Sequence, residues 1–328
     1  MHSSAFAFHT LSPDLIVASL ASIGIRIDSG LTALNSYENR VYQFCDEDRQ
    51  RYVAKYYRPH RWHREQILEE HQFTKQLLDN EIPVIAPLTF NNTTLHEYQN
   101  YLFALFPSVG GRQFETDNIE QMESVAMLLG RIHQIGAQQP FAYRPTIGLD
   151  EYLYQPQEIL LTSSVIPKQV QSELKTTLNQ LIKIVQQHWH NDWQAIRLHG
   201  DCHAGNILWR DGAMIVDFDD ARNGPAIQDV WMLLYGEKQE QRLQLDMLIE
   251  LYQEFYEFDI NQLKLIEPLR AMRMIHHLAW IIQRWQDPAF PIAFPWITDL
   301  DFWYQQLVIF KQQIQAIKSP PIQLISRM

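Results

Sequence analysis

At 328 residues and a formal net charge of −11, with 27 Lys plus Arg against 38 Asp plus Glu, the chain can bury a sizeable core in two lobes. It is too acidic for non-specific nucleic-acid binding, which rests on neutralising phosphates, though a local basic patch for a nucleotide stays open. Two cysteines, Cys45 and Cys202, exclude a disulfide scaffold and suit a reducing compartment.

No apolar run is long enough to span a membrane. Residues 15–25 are apolar, but no Lys or Arg precedes them, so a signal peptide is not expected and a cytoplasmic protein is. In chain order, Ser12 is a helix N-cap with Pro13 at the first helical position. Ile16, Leu20 and Ile23 mark one face of that helix before Gly24. Val41–Phe44 and Tyr52–Tyr57 alternate with the period of two expected of strands, across a polar turn at 45–51. Apolar residues at 67, 68, 73, 77 and 78 predict a helix from Trp62 to Leu78. Ile82 to Pro87 leads into strands around 86–90 and 101–106, and Phe103 to Arg112 reads as strand, linker and turn.

Residues 113–320 are predicted mainly helical. Met122, Val125, Leu128, Leu129 and Ile132 stripe one helix over 118–135, Pro140 to Pro145 breaks the pattern, and further helices run over 168–189, 240–257 and 262–286. His276 and His277 are adjacent, so they point apart on a helix and argue against a shared metal. Asp287 to Trp296 is an aromatic- and proline-rich loop.

One stretch, from His199 to Asp220, carries the chemistry. Asp211-Gly212 reads as a two-residue hairpin turn, because a type I′ turn needs positive φ at both central positions. The flanks Ile207–Trp209 and Met214–Val216 are apolar and strand-forming. That turn pairs Trp209 with Met214 and Ile207 with Val216. It sets Asn206 directly opposite Asp217, with Cβ atoms about 4.5–5.5 Å apart. An amide oxygen beside a carboxylate suits a hard cation such as Mg²⁺. Asp201 sits just upstream, in a loop with Gly200 and Gly205, so three oxygen-bearing side chains converge. His199 and His203 have the spacing of zinc ligands on a helix. Gly200 is a poor helix former, however, and the glutamate of His-Glu-x-x-His is absent. An ordinary surface hairpin accounts for Asp211-Gly212 and for none of the three polar residues.

Asp201-x-x-x-x-Asn206 followed by a strand pair and Asp217 resembles the catalytic loop and metal-binding aspartate of the protein-kinase fold. The His-Gly-Asp opening resembles its aminoglycoside phosphotransferase and choline kinase branch. The resemblance implies an α+β bilobal fold. Residues 1–107 would form a small N-terminal antiparallel β lobe with helices that binds nucleotide. Residues 108–328 would form a larger, mainly helical lobe for catalysis and acceptor binding. It implies Asp201 as catalytic base, Asn206 as a Mg²⁺ ligand, and Asp217 as a catalytic residue and bridging Mg²⁺ ligand, with ATP as co-substrate. Lys55, ending Val-Ala-Lys, would hold the phosphates, paired to Glu70 on the following helix; Glu69 is the alternative partner. Phe106 to Val109 would be the hinge that recognises adenine through its backbone. Glycines common in the nucleotide-covering turn are replaced by Asn35-Ser36-Tyr37, and Ser36 can offer its hydroxyl and N–H instead. After Asp217, Asp219 stands where many kinases have glycine. Asp229 would be structural, bonding back to the catalytic loop.

Within that branch, the runs Ser36-Tyr-Glu-Asn-Arg-Val-Tyr and Pro-Ser-Val-Gly-Gly-Arg-Gln-Phe look like bacterial stress-response serine/threonine kinases. This implies transfer to protein serine or threonine hydroxyls, including the enzyme's own, in a monomer. Two alternatives stay open: a kinase of small alcohols such as choline, homoserine, sugars or aminoglycosides, and a nucleotide-binding pseudokinase acting as an interaction module.

Overall fold

Ser12 accepts a hydrogen bond from the Leu15 N–H at 3.2 Å and, with Pro13 in the first turn, starts α1 (Pro13–Ser22). The computed structural model describes residues 8–325. Five short strands follow around one long helix: β1 (Thr32–Ala33), β2 (Arg40–Cys45), β3 (Arg51–Tyr56), α2 (Arg64–Asp79), β4 (His96–Tyr98) and β5 (Tyr101–Pro107). They form one antiparallel sheet in the order β1-β2-β3-β5-β4. Lys55 lies opposite Val41 on one side and Ala104 on the other.

Strand alternation sorts the two faces. Ala54 and Tyr56 join Ile16 and Leu20 of α1 in one apolar cluster, and the Ser19 and Tyr56 hydroxyls bond at 2.6 Å. Tyr57 packs instead with Ile67 of α2. Lys55 therefore points to the side of the sheet where α2 and the rest of the chain lie.

The strand expected at 86–90 does not form; Phe90 makes only an isolated bridge with Thr93. Pro83 and Pro87 have no N–H to give a ladder, and Leu88 donates a single bond to the Leu105 carbonyl at 2.7 Å. β4 takes the place beside β5 instead.

The rest is mainly helical: β6 (Arg112–Gln113), α3 (Ile119–Gly136), α4 (Gln155–Thr162), α5 (Lys168–His188), β7 (Ile196–Leu198), β8 (Ile207–Trp209), β9 (Ala213–Ile215), β10 (Arg222–Gly224), α6 (Ile227–Trp231), α7 (Lys238–Tyr252), α8 (Ile266–Gln283), α9 (Ala289–Ala293) and α10 (Leu300–Lys318). α3 packs on α7, α4 on α8, and α5 on α10. The predicted stripe of α3 is fully buried, from Met122 to Ile132. The helix expected from 262 begins as a 3₁₀ segment, Ile260–Leu265, before α8. The expected loop at 287–296 holds the short α9, with Phe290 fully buried.

β7 pairs antiparallel with β10, Leu198 opposite Arg222. Residues 199–206 leave the end of β7, and 217–221 enter β10 at that same end. This pairing brings the two motif segments side by side.

Candidate active site

The catalytic-loop candidate is held by Asp229, as expected from the sequence. Its carboxylate is fully buried and accepts the N–H groups of His199 and Gly200, each at 2.8 Å. His133 approaches the same carboxylate at 3.0 Å and reaches the Tyr252 hydroxyl at 2.8 Å on its other nitrogen. Gly200 has φ +85°, and a Cβ there would sit 2.3 Å from the Asp220 carbonyl oxygen. Only glycine meets both conditions. His199 hydrogen-bonds the Val216 carbonyl through Nε2 and accepts the Asp201 N–H at Nδ1, so both ring nitrogens are used by the loop. No zinc pair forms there.

The hairpin register differs from the expected one by one residue. Trp209 pairs with Ala213, Leu208 with Met214 and Ile207 with Ile215. Asp211 and Gly212 do have positive φ, 54° and 129°. The loop nonetheless has three residues, because Arg210 donates its N–H to the Gly212 carbonyl at 2.9 Å. Asn206 therefore faces Val216, whose N–H it accepts at 2.9 Å, and Asp217 lies one residue beyond. Asp217 adopts φ 61°, a left-handed conformation at the end of the strand pair.

Asn206 donates its side-chain amide to the Asp201 carbonyl at 3.0 Å, a bond that does not use its amide oxygen. The Asp217 side chain is half exposed. A carboxylate and an amide oxygen are hard donors, so this pair fits a divalent cation of the Mg²⁺ type. Among the described residues no cluster of three or more His, Cys, Asp or Glu could hold a metal by itself. The two oxygens leave positions that phosphate oxygens and water can fill.

Lys55 is buried and reaches Asp217 Oδ1 at 2.9 Å and Asp219 Oδ1 at 3.0 Å. Burial alone would lower the Lys55 ammonium, but these carboxylates outweigh it and raise it well above its ordinary value. Asp219, which stood in the sequence only as a departure from glycine, also binds Arg61 at 2.7 Å. Burial works to raise its carboxyl, and Lys55 and Arg61 hold it down at about 2.

The expected Lys55–Glu70 pair is not formed. Glu70 is buried, and its charged neighbour is Arg144 at 3.7 Å. Burial pushes the Glu70 carboxyl up to about 7, against the pull of Lys55 and Arg144. Glu69 is not the lysine's partner either. Its carboxylate accepts the backbone N–H groups of Ala142, Tyr143 and Arg144 at 2.6–2.8 Å, tying α2 to the segment that follows α3.

Ser36 lies in the turn between β1 and β2, and its neighbours are strongly tethered. Glu38 contacts Arg58 at 3.0 Å and Arg284 at 2.7 Å, and accepts the Trp280 indole N–H. Asn39 accepts the Arg58 N–H at 3.1 Å. Asp287 holds Arg40 and Arg58, each at 2.9 Å. The β1–β2 turn is thus bound to the end of α8, a link the sequence does not suggest. Of the expected hinge, Phe106 lies in β5 opposite Val53, Pro107 ends that strand, and the Ser108 N–H donates to the Arg51 carbonyl at 3.2 Å; Val109 follows.

Asp201 is three-quarters buried, with Oδ1 against the Arg273 guanidinium of α8 and Oδ2 3.5 Å from His203. Burial would raise its carboxyl; the hydrogen bonds and charges of His203 and Arg273 outweigh that and hold it well below the usual range. Cys202 next to it is fully buried, and burial pushes its thiol well up, which makes it an inert packing residue.

The sequence family described as "Phosphotransferase enzyme family" (APH) matches residues 30–266. The chain is 58% identical over 324 residues to Stress response kinase A of Escherichia coli strain K12, covering 99% of each. It is 56% identical, with the same coverage, to the serine/threonine protein kinase RdoA of Salmonella typhimurium strain LT2. Among solved structures, an amicoumacin kinase in complex with AMP-PNP, Ca²⁺ and amicoumacin superposes with a TM-score of 0.73 at 21% identity, over 94% of this chain and 95% of that one. An aminopropanol kinase gives 0.70 at 14% identity, over 93% and 98%. The expected kinase-like fold, an antiparallel-sheet lobe followed by a helical remainder, is the observed one.

Proposed function

The chain belongs to the phosphotransferase enzyme family, and from that premise we propose that it is an ATP- and Mg²⁺-dependent kinase of protein serine and threonine hydroxyls, itself included, acting in a stress response. The observation that carries this is the convergence at one hairpin end of Asp201, Asn206 and Asp217, with Lys55 reaching Asp217 at 2.9 Å. In the proposed reaction the acceptor oxygen bonds the terminal phosphorus of ATP, the bond to the β-phosphate oxygen breaks, and ADP leaves with that electron pair. The acceptor's proton passes to Asp201. Lys55 binds phosphate oxygens, Ser36 and its turn cover them, and the backbone of Phe106 to Val109 takes the adenine. Glu70 stays beside Arg144 and acts on Lys55 only at longer range. Mg²⁺ held by Asn206 and Asp217 would neutralise phosphate charge. Residues 1–107 serve nucleotide binding in this scheme, and 108–328 serve catalysis and acceptor binding.

The protein acceptor rests on relatives at 56–58% identity that are named stress response or serine/threonine kinases. The competing small-alcohol reading draws on the amicoumacin and aminopropanol kinases, which share the fold at 14–21% identity. The pseudokinase reading has only the glycine-free turn at 35–37 behind it, against a full set of Lys55, Asp201, Asn206 and Asp217. Incubation with labelled ATP and Mg²⁺, alone and with proteins, peptides, choline, homoserine, sugars and aminoglycosides, tests the proposal. A small alcohol turned over orders of magnitude faster than any protein would overturn the acceptor assignment and leave phosphoryl transfer standing. No transfer to any acceptor would overturn both.

A further inference from the structure

Arg273, His277, Trp280 and Arg284 fall at helical spacing along one face of α8 and its cap. This stripe runs about 16 Å, at 1.5 Å per residue. One end meets Asp201 and the other meets Glu38 of the turn over the nucleotide. It therefore walls the space in which an acceptor must approach Asp201.

Both Asp201 oxygens are engaged, one by Arg273 and one by His203. Each carboxylate oxygen has a second lone pair, so a hydroxyl can bond Asp201 beside these contacts, but while Arg273 is paired with it the carboxylate is a weaker base. His203 is the looser contact, 3.5 Å away and 41% exposed; Arg273, 38% exposed, is the charged one, and its ion pair with Asp201 is its only one among the described residues. The other cations on the helix are committed: Arg270 lies 3.6 Å from Glu267 and over the Trp231 ring, and Arg284 is held by Glu38. Burial, then the charge of Arg273, lowers His277, and burial lowers His276 to about 3, so both are neutral at pH 7. Asp220 nearby is occupied by Arg61 and Arg222, and Glu151 by Arg222. Among the described residues these carboxylates are already paired, so a guanidinium that leaves Asp201 has none of them to turn to. A partly buried guanidinium is best paired, so an acid brought by the acceptor is the partner that draws it from Asp201.

We propose that Arg273 determines acceptor specificity: the hydroxyl is carried beside a negative charge, as in an acidic serine or threonine segment, and the guanidinium passes from Asp201 to that acid as the acceptor binds. The protein form of this acceptor rests on the function proposed above. The exchange removes the guanidinium's hold on Asp201 and makes the carboxylate a better acceptor of the hydroxyl proton. Arg273 acts here as a positioning residue.

The test uses the full chain with serine peptides of equal length and acidic, neutral or basic flanks, and with glycerate against choline as charged small alcohols. Each is measured with the parent, Arg273→Lys, Arg273→Gln and Arg273→Glu. The expected parent result is kcat/KM at least tenfold higher for acidic than for basic peptides, mainly through KM. Arg273→Lys keeps the sign, Arg273→Gln flattens it and Arg273→Glu reverses it, while KM for ATP stays within about twofold. An acidic preference missing in the parent, or unchanged in Arg273→Gln, overturns the proposal; the Gln variant decides if the Glu variant misfolds. Turnover of small alcohols alone removes the protein-acceptor reading. Within that outcome, an Arg273-dependent preference for glycerate keeps the charge inference and a preference for choline overturns it. No turnover of any acidic acceptor also overturns it.

Discussion

Lys55 Nζ and Asp217 Oδ1 are bonded to each other at 2.9 Å: the lysine expected on phosphate and the carboxylate expected on the cation meet directly. Asp219 joins them at 3.0 Å from the same ammonium. In the proposed scheme the lysine turns toward phosphate oxygens when a nucleotide binds, so its affinity for ATP competes with this pair. Lys55→Ala is expected to raise KM for ATP by about ten- to a hundredfold, the value of about 1.5–3 kcal/mol for a hydrogen bond to a charged group, and to lower kcat. Steady-state kinetics over ATP concentration checks this; an unchanged KM would take Lys55 out of the nucleotide site.

Asp217→Ala is expected to abolish the dependence of nucleotide affinity on Mg²⁺ and to reduce turnover. Nucleotide titration by calorimetry with and without Mg²⁺ reads it. If the variant keeps the parent's Mg²⁺ dependence, the cation sits elsewhere.

Asp201→Asn is expected to lower phosphoryl transfer by about 10²–10⁴-fold, the usual worth of a positioned base. Nucleotide affinity should stay within about twofold, because Asp201 contacts Arg273 and His203 and not Lys55. Activity within twofold of the parent would remove it from the mechanism.

Glu70 predicts a pH dependence. Its carboxyl is raised to about 7 in the folded chain, against about 4.3 in an unfolded one. Between those values the folded state holds more protons than the unfolded state, so Glu70 makes stability fall as pH rises from about 4.3 to about 7. Urea unfolding at pH 5 and 7.5 should show a smaller fall for Glu70→Gln than for the parent. Equal falls would mean that Glu70 is not buried as described.

Glu69→Ala should act on stability. It strips the acceptor from three N–H groups at residues 142–144, and each stranded donor in a protected place costs about 1–3 kcal/mol. A partly exposed site puts the total near the lower end. Thermal melts should show a clear drop, with KM for ATP unchanged; a raised KM with no drop would make Glu69 a nucleotide-site residue.

The sequence by itself determined most of the longer elements and the convergence of Asp201, Asn206 and Asp217. Period-two alternation placed β2 and β3, helical periodicity placed α2, α3 and α5, and Asp201, Asn206 and Asp217 were legible because a loop and a hairpin bring near neighbours together. Residues 86–90 have the apolar composition of a strand, but Pro87 lacks the N–H that a ladder needs. The hairpin register was missed by one, since positive φ at Asp211 and Gly212 marks where the chain turns and not how many residues the loop spends. Only the tertiary structure decided the partners. Periodicity could put Glu70 on the inner face of α2, but Arg144 reaches it from a distant segment. Asp219 on Lys55, Arg273 on Asp201, and Glu38 and Asp287 tying the β1–β2 turn to α8 join residues far apart in the chain. Such contacts leave no local pattern, because a charged side chain pairs with whichever opposite charge the packed fold brings within about 4 Å.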